Sequence, residues 1–542
     1  KWDPERLMGL YKAAGATYFV SMAAHHDNFD LWDSTHQRWN AVKMGPHRDV
    51  VGDWQKAAHK QGLRFGVSEH LGASWTWFQK SRGADKEGPL KGVPYDGVDP
   101  ANEDLYHPAA LPGDNGWYSN DPRWHTEWYR RVKDVVDKYH PDLLYSDGPL
   151  PFGSVGESLV AHFYNVTMKG GKQQAVYACK QPSEGRWAQD VERGVMARIQ
   201  EHPWQTDTSI GDWYYNRNWK YRGADWVIHT LVDVISKNGN LLINVVQRPD
   251  GSLDPEAEQI LADMAAWMKV NSESIYGTTP WLVFGEGPTR AKGGAFKEDF
   301  AFTAKDVRYV QKGDAVYATL LGNPAGQEVN LLSLQKSPGD AAVISNVAVL
   351  GVSEKPRWVW DASGLHVTVP AVASSKIAVV LKITGSRMRE FRSIPEPYPA
   401  LAPVAKPTIS ADPSGTYRLT ADFAEVPEDG VRTETKDGET NLGFWDNPLD
   451  IVQWNVDFVP GKYEVMAWVA GEQATAIEVE SGGVRVFAPV SATGGWDKFV
   501  EVKLGTLTVS TSGKTKVTAR AHNPATWHAL NLRKITLRRL SP

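Results

Sequence analysis

The sequence contains one cysteine in 542 residues, Cys179, which excludes an intramolecular disulfide framework and any cysteine-built zinc or iron–sulfur site. Cys179 lies in an apolar run, where a thiol behaves as a small core hydrophobe. No run of eighteen apolar residues exists to form a membrane helix. There is no basic excess: 59 Lys and Arg face 64 Asp and Glu, for a formal charge of −5. Little is available to neutralise phosphates, so nucleic acid is not the expected partner and a neutral substrate is. Gly170-Gly171 is too short a signal for a phosphate loop. The chain starts at Lys1 without Met or an apolar leader, and so reads as a processed or truncated product. Aromatics, by contrast, are abundant: 23 Trp and 19 Tyr against 9 Met. Such rings fill cores, and they also stack on the apolar face of a sugar.

The length predicts about two to four domains. From Lys1 to about Pro280, β-rich runs alternate with amphipathic helical stretches, the pattern of a parallel sheet with crossover helices. Six strands are expected at residues 17–22, 63–68, 143–146, 175–179, 205–210 and 241–246, with a seventh near Trp281. Residues with chemistry follow these runs: His25-His26-Asp27, Glu69-His70, Asp147-Gly148, Lys180 and Gly211-Asp212-Trp213. That is the C-terminal mouth of a (β/α)8-like barrel, where such folds carry their active sites. The first element is a helix and seven strands do not close eight, so the first strand of the barrel is expected to be missing from residues 1–285. Short alternating runs over 286–385 predict a β-sandwich, a proline-rich stretch over 386–410 predicts a linker, and 411–542 predicts a second β-sandwich.

Asp147 ends a buried-looking strand and is followed by a glycine that lets the backbone turn away from a ligand. Its alternative is a turn or helix-capping aspartate. Glu192 lies in a loop after the fifth strand, and two carboxylates from neighbouring loops are what glycoside hydrolysis needs, one ionised and one protonated. A surface pair with Arg193 or Arg198 is the bland reading, and Glu184, Asp190, Glu201 and Glu69 are rivals. His25 and His26 project to opposite sides of an extended segment. No zinc-type spacing accompanies them, so hydrogen bonding to sugar hydroxyls is expected rather than metal binding. Trp75, Trp77, Trp204, Trp213, Tyr214 and Tyr215 are candidate stacking rings, with core filling as the alternative.

These residues sit in motifs: Lys12-Ala13-Ala14-Gly15-Ala16-Thr17-Tyr18, His25-His26-Asp27-Asn28-Phe29-Asp30-Leu31-Trp32, Gly45-Pro46-His47-Arg48-Asp49-Val50-Val51-Gly52 and Pro141 to Gly148. Ser236 to Asn244 and Tyr276 to Trp281 continue the series. Together, over about 280 residues, they resemble the α-L-fucosidases of glycoside hydrolase family 29. The resemblance implies retaining exo-hydrolysis of terminal α-L-fucosides on a barrel followed by a β-sandwich, with no cofactor and no metal. It carries Asp147 over as nucleophile and fits Glu192 as acid/base, with His25, His26, Glu69, His70, Trp75, Lys180 and Trp213 as substrate-binding candidates. Lys180 stands where many members have a sugar-binding Arg, and Gln205 where many have Glu. The implied partner is a fucosylated oligosaccharide or glycan, and the implied location is secreted or periplasmic. The last 130 residues are similar to sugar-binding β-sandwich modules, with a plain spacer as the alternative. α-L-galactosidase activity, or a catalytically inactive fucose-binding protein, are the rival functions.

Overall fold

The computed structural model describes residues 2–182, 185–291, 293–298, 300–372, 375–391, 406–426, 430–436, 438–448, 450–523 and 526–540. The chain divides into two compact units, Lys1–Pro397 and Tyr398–Pro542. Most of the expected linker, 392–405, lies outside the described residues, as does Glu184.

The first unit opens on a helix, Pro4–Ala13, capped by Asp3. A seven-stranded sheet follows: β1 (Tyr18–Ala24), β2 (Arg64–Glu69), β3 (Leu143–Ser146), β4 (Val176–Cys179), β5 (Ala188–Asp190), β6 (Trp204–Ser209) and β7 (Gly239–Asn244). The strands pair in chain order and all in parallel. The sheet curls into a half-barrel of the (β/α)8 type, and among the described residues β1 and β7 pair with no further strand. The expected seven-stranded opening is therefore present, but the seventh strand was misplaced. Thr279–Glu286, around Trp281, pairs antiparallel with Val307–Lys312 in the next domain. The strand that completes the seven is the three-residue β5.

Crossover helices cover the outside. The longest, Pro122–Tyr139, starts where the Asp121 side chain accepts from the Arg123 N–H and Pro122 supplies a preset first turn. It buries Trp124, Trp128, Val132, Val135, Val136 and Tyr139, three and four apart, and ends at His140 in the left-handed region, φ 41°. Strand β6 is buried along its whole length although it reads Trp-Gln-Thr-Asp-Thr-Ser. Buried polar side chains must find partners, and Thr206 Oγ1 donates to the carbonyls of Val191 and Gly194, both at 2.8 Å. The mouth of the half-barrel is thus held by polar contacts rather than by apolar packing.

The antiparallel part of this unit is a five-stranded sheet facing a three-stranded one over a core that includes Trp281, Tyr309, Leu331 and Ile383. A buried network, Asp233 with Lys237 at 2.7 Å and Arg308 at 2.6 Å, joins it to the helix Ala224–Ser236. The second unit is all β, a six-stranded and a four-stranded sheet around its own core with Trp445, Trp454, Tyr417 and Tyr463. Among the described residues no helix is long and apolar enough to cross a membrane.

Candidate active site

The C-terminal ends of the parallel strands surround a cavity of about 1330 Å³. Its mouth is lined by His25, His26, His70, Tyr145, Asp147, Glu192, Asp207 and Trp213, and its deeper wall by β1, β7 and the helices packed on them. The cavity extends down between β1 and β7, along residues 17–22 and 239–245.

Strand alternation decides which side chains enter it. On β2 and beyond, Ser68 and His70 face the cavity, whereas Glu69 turns away into the core. Glu69 is 3 % exposed and accepts from Leu71 N at 3.0 Å and Trp128 Nε1 at 3.1 Å. It is not a wall residue, contrary to expectation, and it does not face Asp147 across the mouth. On β3, Tyr145 and Asp147 face in. Gly148, at φ +97°, lets the chain leave without obstruction: a Cβ there would lie 2.6 Å from Trp117 Nε1 and Tyr118 Oη.

Asp147 Oδ2 lies 3.4 Å from His70 Nδ1 and 3.9 Å from His26 Nε2, and Tyr145 Oη donates to its Oδ1 at 3.2 Å. Burial works against ionisation of Asp147, but His70, Lys180, His26 and the Tyr145 hydroxyl outweigh it and hold the carboxyl below its usual range. Burial also drives the His70 imidazole down, to about 3, and lowers His25 and His26. All three histidines are therefore neutral near pH 7, so the approaches of His70 and His26 to Asp147 are not ion pairs there.

Among the described residues, Lys180 is the one cation in contact with the carboxyls of this cluster. Its Nζ lies 2.9 Å from Asp190, 3.1 Å from Asp207, 3.3 Å from Glu192 and 3.7 Å from Asp147. The Glu192 carboxyl is raised above its usual range, first by burial and then by the charges of Asp207 and Asp147, against the pull of Lys180. Asp207 is raised well above its range by burial and by Asp190, so the carboxyls of this pocket are shifted in opposite directions. Asp190 is fully buried between Lys180 and Gln205 Nε2, at 2.8 Å, and Glu201 is exposed on the surface. Neither lines the cavity. Glu192 pairs with Lys180 rather than with Arg193 or Arg198.

Trp75 also differs from expectation. It is 3 % exposed and packs against His107 and Trp124. Trp77, two residues on, lies on the cavity side and stacks on His26 at 4.4 Å and 15°. Tyr145, Asp207 and Trp117 are wall residues that the sequence analysis did not select. The ring nitrogens of His25, His26 and His70 lie within 4.8 Å of one another, a spacing that raises the question of a metal. The rings of His25 and His70 stack at 4.4 Å and 26°, however, so their in-plane lone pairs run side by side instead of converging. His26 Nδ1 is already engaged with the His70 carbonyl at 2.8 Å. The donor set as built does not match a tetrahedral ion.

A parallel half-barrel whose strand ends bring carboxyls with oppositely shifted acidities into a ring-lined cavity has the architecture of a glycoside hydrolase. Residues 1–273 match the family model of α-L-fucosidase, and residues 301–384 match that of the α-L-fucosidase C-terminal domain. Tissue α-L-fucosidase of Rattus norvegicus is 28% identical over 409 residues, 71% of this chain and 76% of that protein. The Thermotoga maritima α-fucosidase solved in complex with fucose is 26% identical, with a TM-score of 0.52 over 71% of this chain and 79% of that one. An α-L-fucosidase from Vibrio sp. strain EJY3, 15% identical, shares the fold over 100% of this chain and 88% of its own, with a TM-score of 0.52. The chain belongs to the α-L-fucosidase family, glycoside hydrolase family 29, and is a glycoside hydrolase.

Proposed function

We propose that the chain is a retaining exo-α-L-fucosidase that removes terminal α-L-fucosyl residues from oligosaccharides or glycans, with Asp147 as nucleophile and Glu192 as acid/base. The observation that carries this reading is that two carboxyls on one cavity are shifted in opposite directions. Asp147 is held ionised and Glu192 is held toward its protonated form. Lys180 Nζ touches both, so their nearest oxygens are no more than about 7 Å apart. That bound accommodates the roughly 5–5.5 Å of a retaining pair.

Asp147 Oδ attacks the anomeric carbon as the glycosidic C–O bond breaks, and Glu192 gives its proton to the leaving oxygen. The product is an ester between fucose and Asp147. Esterification removes the negative charge of Asp147, so the Glu192 carboxyl becomes more acidic. Glu192, now a carboxylate, takes a proton from water as that water attacks the same carbon and frees Asp147. The neutral His25, His26 and His70 act as hydrogen-bonding partners for the sugar hydroxyls, and Lys180 serves both as a hydroxyl donor and as the counter-charge of the carboxyls. Trp213, 40 % exposed at the mouth, supplies an apolar face.

Asp147→Ala tests the assignment. It should abolish nearly all turnover of an aryl α-L-fucoside in a protein of unchanged fold. Azide should restore part of it and yield the β-L-fucosyl azide, of inverted configuration. Turnover like that of the parent protein would overturn the nucleophile, and a first-formed β-L-fucose product from the parent, read by NMR, would overturn retention.

A further inference from the structure

Glu192 sits in an irregular loop, and a loop alone is a poor support for a proton donor that must reach one oxygen atom. In this chain the loop does not stand alone. One side rests on β6 through the Thr206 hydroxyl, which bonds the carbonyls on either side of Glu192, those of Val191 and Gly194. The other side is covered by residues 294–298, which come a hundred residues later. Phe296 N donates to the carbonyl of Glu192 itself at 2.8 Å, and Gly294 N to that of Val195 at 2.8 Å. The two segments run antiparallel, and the approach is so close that a Cβ on Gly194 would lie 2.1 Å from the carbonyl oxygen of Gly294.

The anchor of this strap is Glu298. It is 7 % exposed and meets three donors. Its Oε1 accepts from Arg193 Nε at 3.0 Å and contacts Arg222 Nη1 at 2.8 Å, and its Oε2 accepts from Thr208 Oγ1 at 2.6 Å. Arg193 is the residue after Glu192. It sits in the left-handed region at φ 46°, its N–H donates to the Asp207 carbonyl at 2.8 Å, and its guanidinium lies over Trp213. A non-glycine residue in that region persists only when its surroundings hold it there. The buried Glu298 carboxylate supplies that hold, and it lies between the two segments that the family models match, 1–273 and 301–384.

We propose that Glu298 is a positioning residue for the acid/base: by fixing the Arg193 side chain and the strap at 294–298, it aims the Glu192 carboxyl at the leaving oxygen. The proposal rests on the assignment of Glu192 as proton donor. Its signature is a dependence on the leaving group, since only a leaving group that needs a proton is sensitive to where the donor points.

The experiment compares Glu298→Gln, Thr208→Val and Glu192→Ala on a series of aryl α-L-fucosides from chloronitrophenyl to methoxyphenyl, with the thermal midpoint of each variant. Correct general-acid placement is worth about 10²–10⁴-fold. Glu298→Gln should lower kcat/KM about tenfold or more on the methoxyphenyl substrate and less than about threefold on the chloronitrophenyl one. Thr208→Val, which removes one of the three bonds, should do the same more weakly, and it carries the test if Glu298→Gln fails to fold. Glu192→Ala should show the largest difference between leaving groups. If Glu192→Ala shows that difference and the other two folded variants lose activity equally on all substrates, or not at all, Glu298 has no positioning role. If Glu192→Ala shows no such difference, the proton donor is misassigned and the role of Glu298 falls with it.

Discussion

Lys180 offers the sharpest test of the electrostatics, because one ammonium faces four carboxyls. In Lys180→Met the positive charge is removed and the length of the side chain is kept. Coulomb's law at an effective dielectric of about 20 gives roughly 4–5 kcal/mol for unit charges at the 3.7 Å and 3.3 Å that separate Nζ from Asp147 and Glu192. At about 1.36 kcal/mol per pKa unit the ceiling is about 3–4 units. Both side chains retain some exposure to the open cavity, so about 1–2 units is the working figure. The sign is the same for both groups, since each loses a neighbour that favoured its charged form. Asp147 must be ionised to attack, so the acid limb of the kcat/KM profile moves up. Glu192 must be protonated to donate, so the basic limb moves up as well. The bell should therefore shift bodily to higher pH, by about 1–2 units, on top of whatever overall loss follows from a missing sugar contact. An aryl α-L-fucoside assayed across the pH range reads this directly. A profile that is lower but unmoved, or one in which the limbs move in opposite directions, refutes the account of what Lys180 does.

The two neighbouring tryptophans should separate by phenotype. Trp75→Ala empties a buried stack and should cost about 3–5 kcal/mol of stability, read by denaturant midpoint. Trp77→Ala, at a position 54 % exposed, should change stability by less than about 0.5 kcal/mol and raise KM; equal stability losses in the two would contradict the packing described. Glu69 gives a stability prediction with a definite sign. Burial pushes its carboxyl up to about 7, so between about pH 4.5 and 7 the folded state keeps a proton the unfolded state has lost, and stability falls as pH rises. Glu69→Gln removes that slope. Its stability relative to the parent should improve between pH 5 and pH 8 by up to about 3 kcal/mol, and parallel curves for the two proteins would show that Glu69 does not titrate there.

How much of this was legible in the sequence depended on whether the signal was local. Asp147 could be read because everything that marks it is within a few residues: an apolar run that ends on it and a glycine after it. The half-barrel was legible because five of its strands announce themselves as apolar runs and one, β6, as a β-branched one. Strand β5 has only Ala188, Gln189 and Asp190, with no period to detect, so its place in the count was given to the run around Trp281. Glu69 could have been set aside from the sequence, but Trp75 could not. Neighbouring residues at a strand end face opposite ways, so choosing both Glu69 and His70 as wall residues was inconsistent with period two, and the same alternation along Gln205, Asp207 and Ser209 would have brought Asp207 forward. For Trp75 and Trp77 on a short helical turn, spacing says that one faces away from the other but not which faces the cavity.

What no local rule could supply is the second layer. Glu298 reaches Arg193 across 105 residues of chain, and Lys180 gathers carboxyls from β3, the ends of β5 and β6, and the loop between them. Such contacts leave no periodicity, because each partner is a single polar residue whose meaning depends on where a distant strand ends. They are also the contacts that set protonation. A lone carboxylate at a strand end is only a candidate until its neighbours are known, and the different roles proposed for Asp147 and Glu192 rest on the histidines, Tyr145 and Lys180 crowding one while burial and Asp207 act on the other. The residue types could be found from sequence, whereas the proposed assignment of donor and nucleophile rests on the surrounding charges, which is why a change at Lys180 or Glu298 should alter the chemistry without touching either carboxyl.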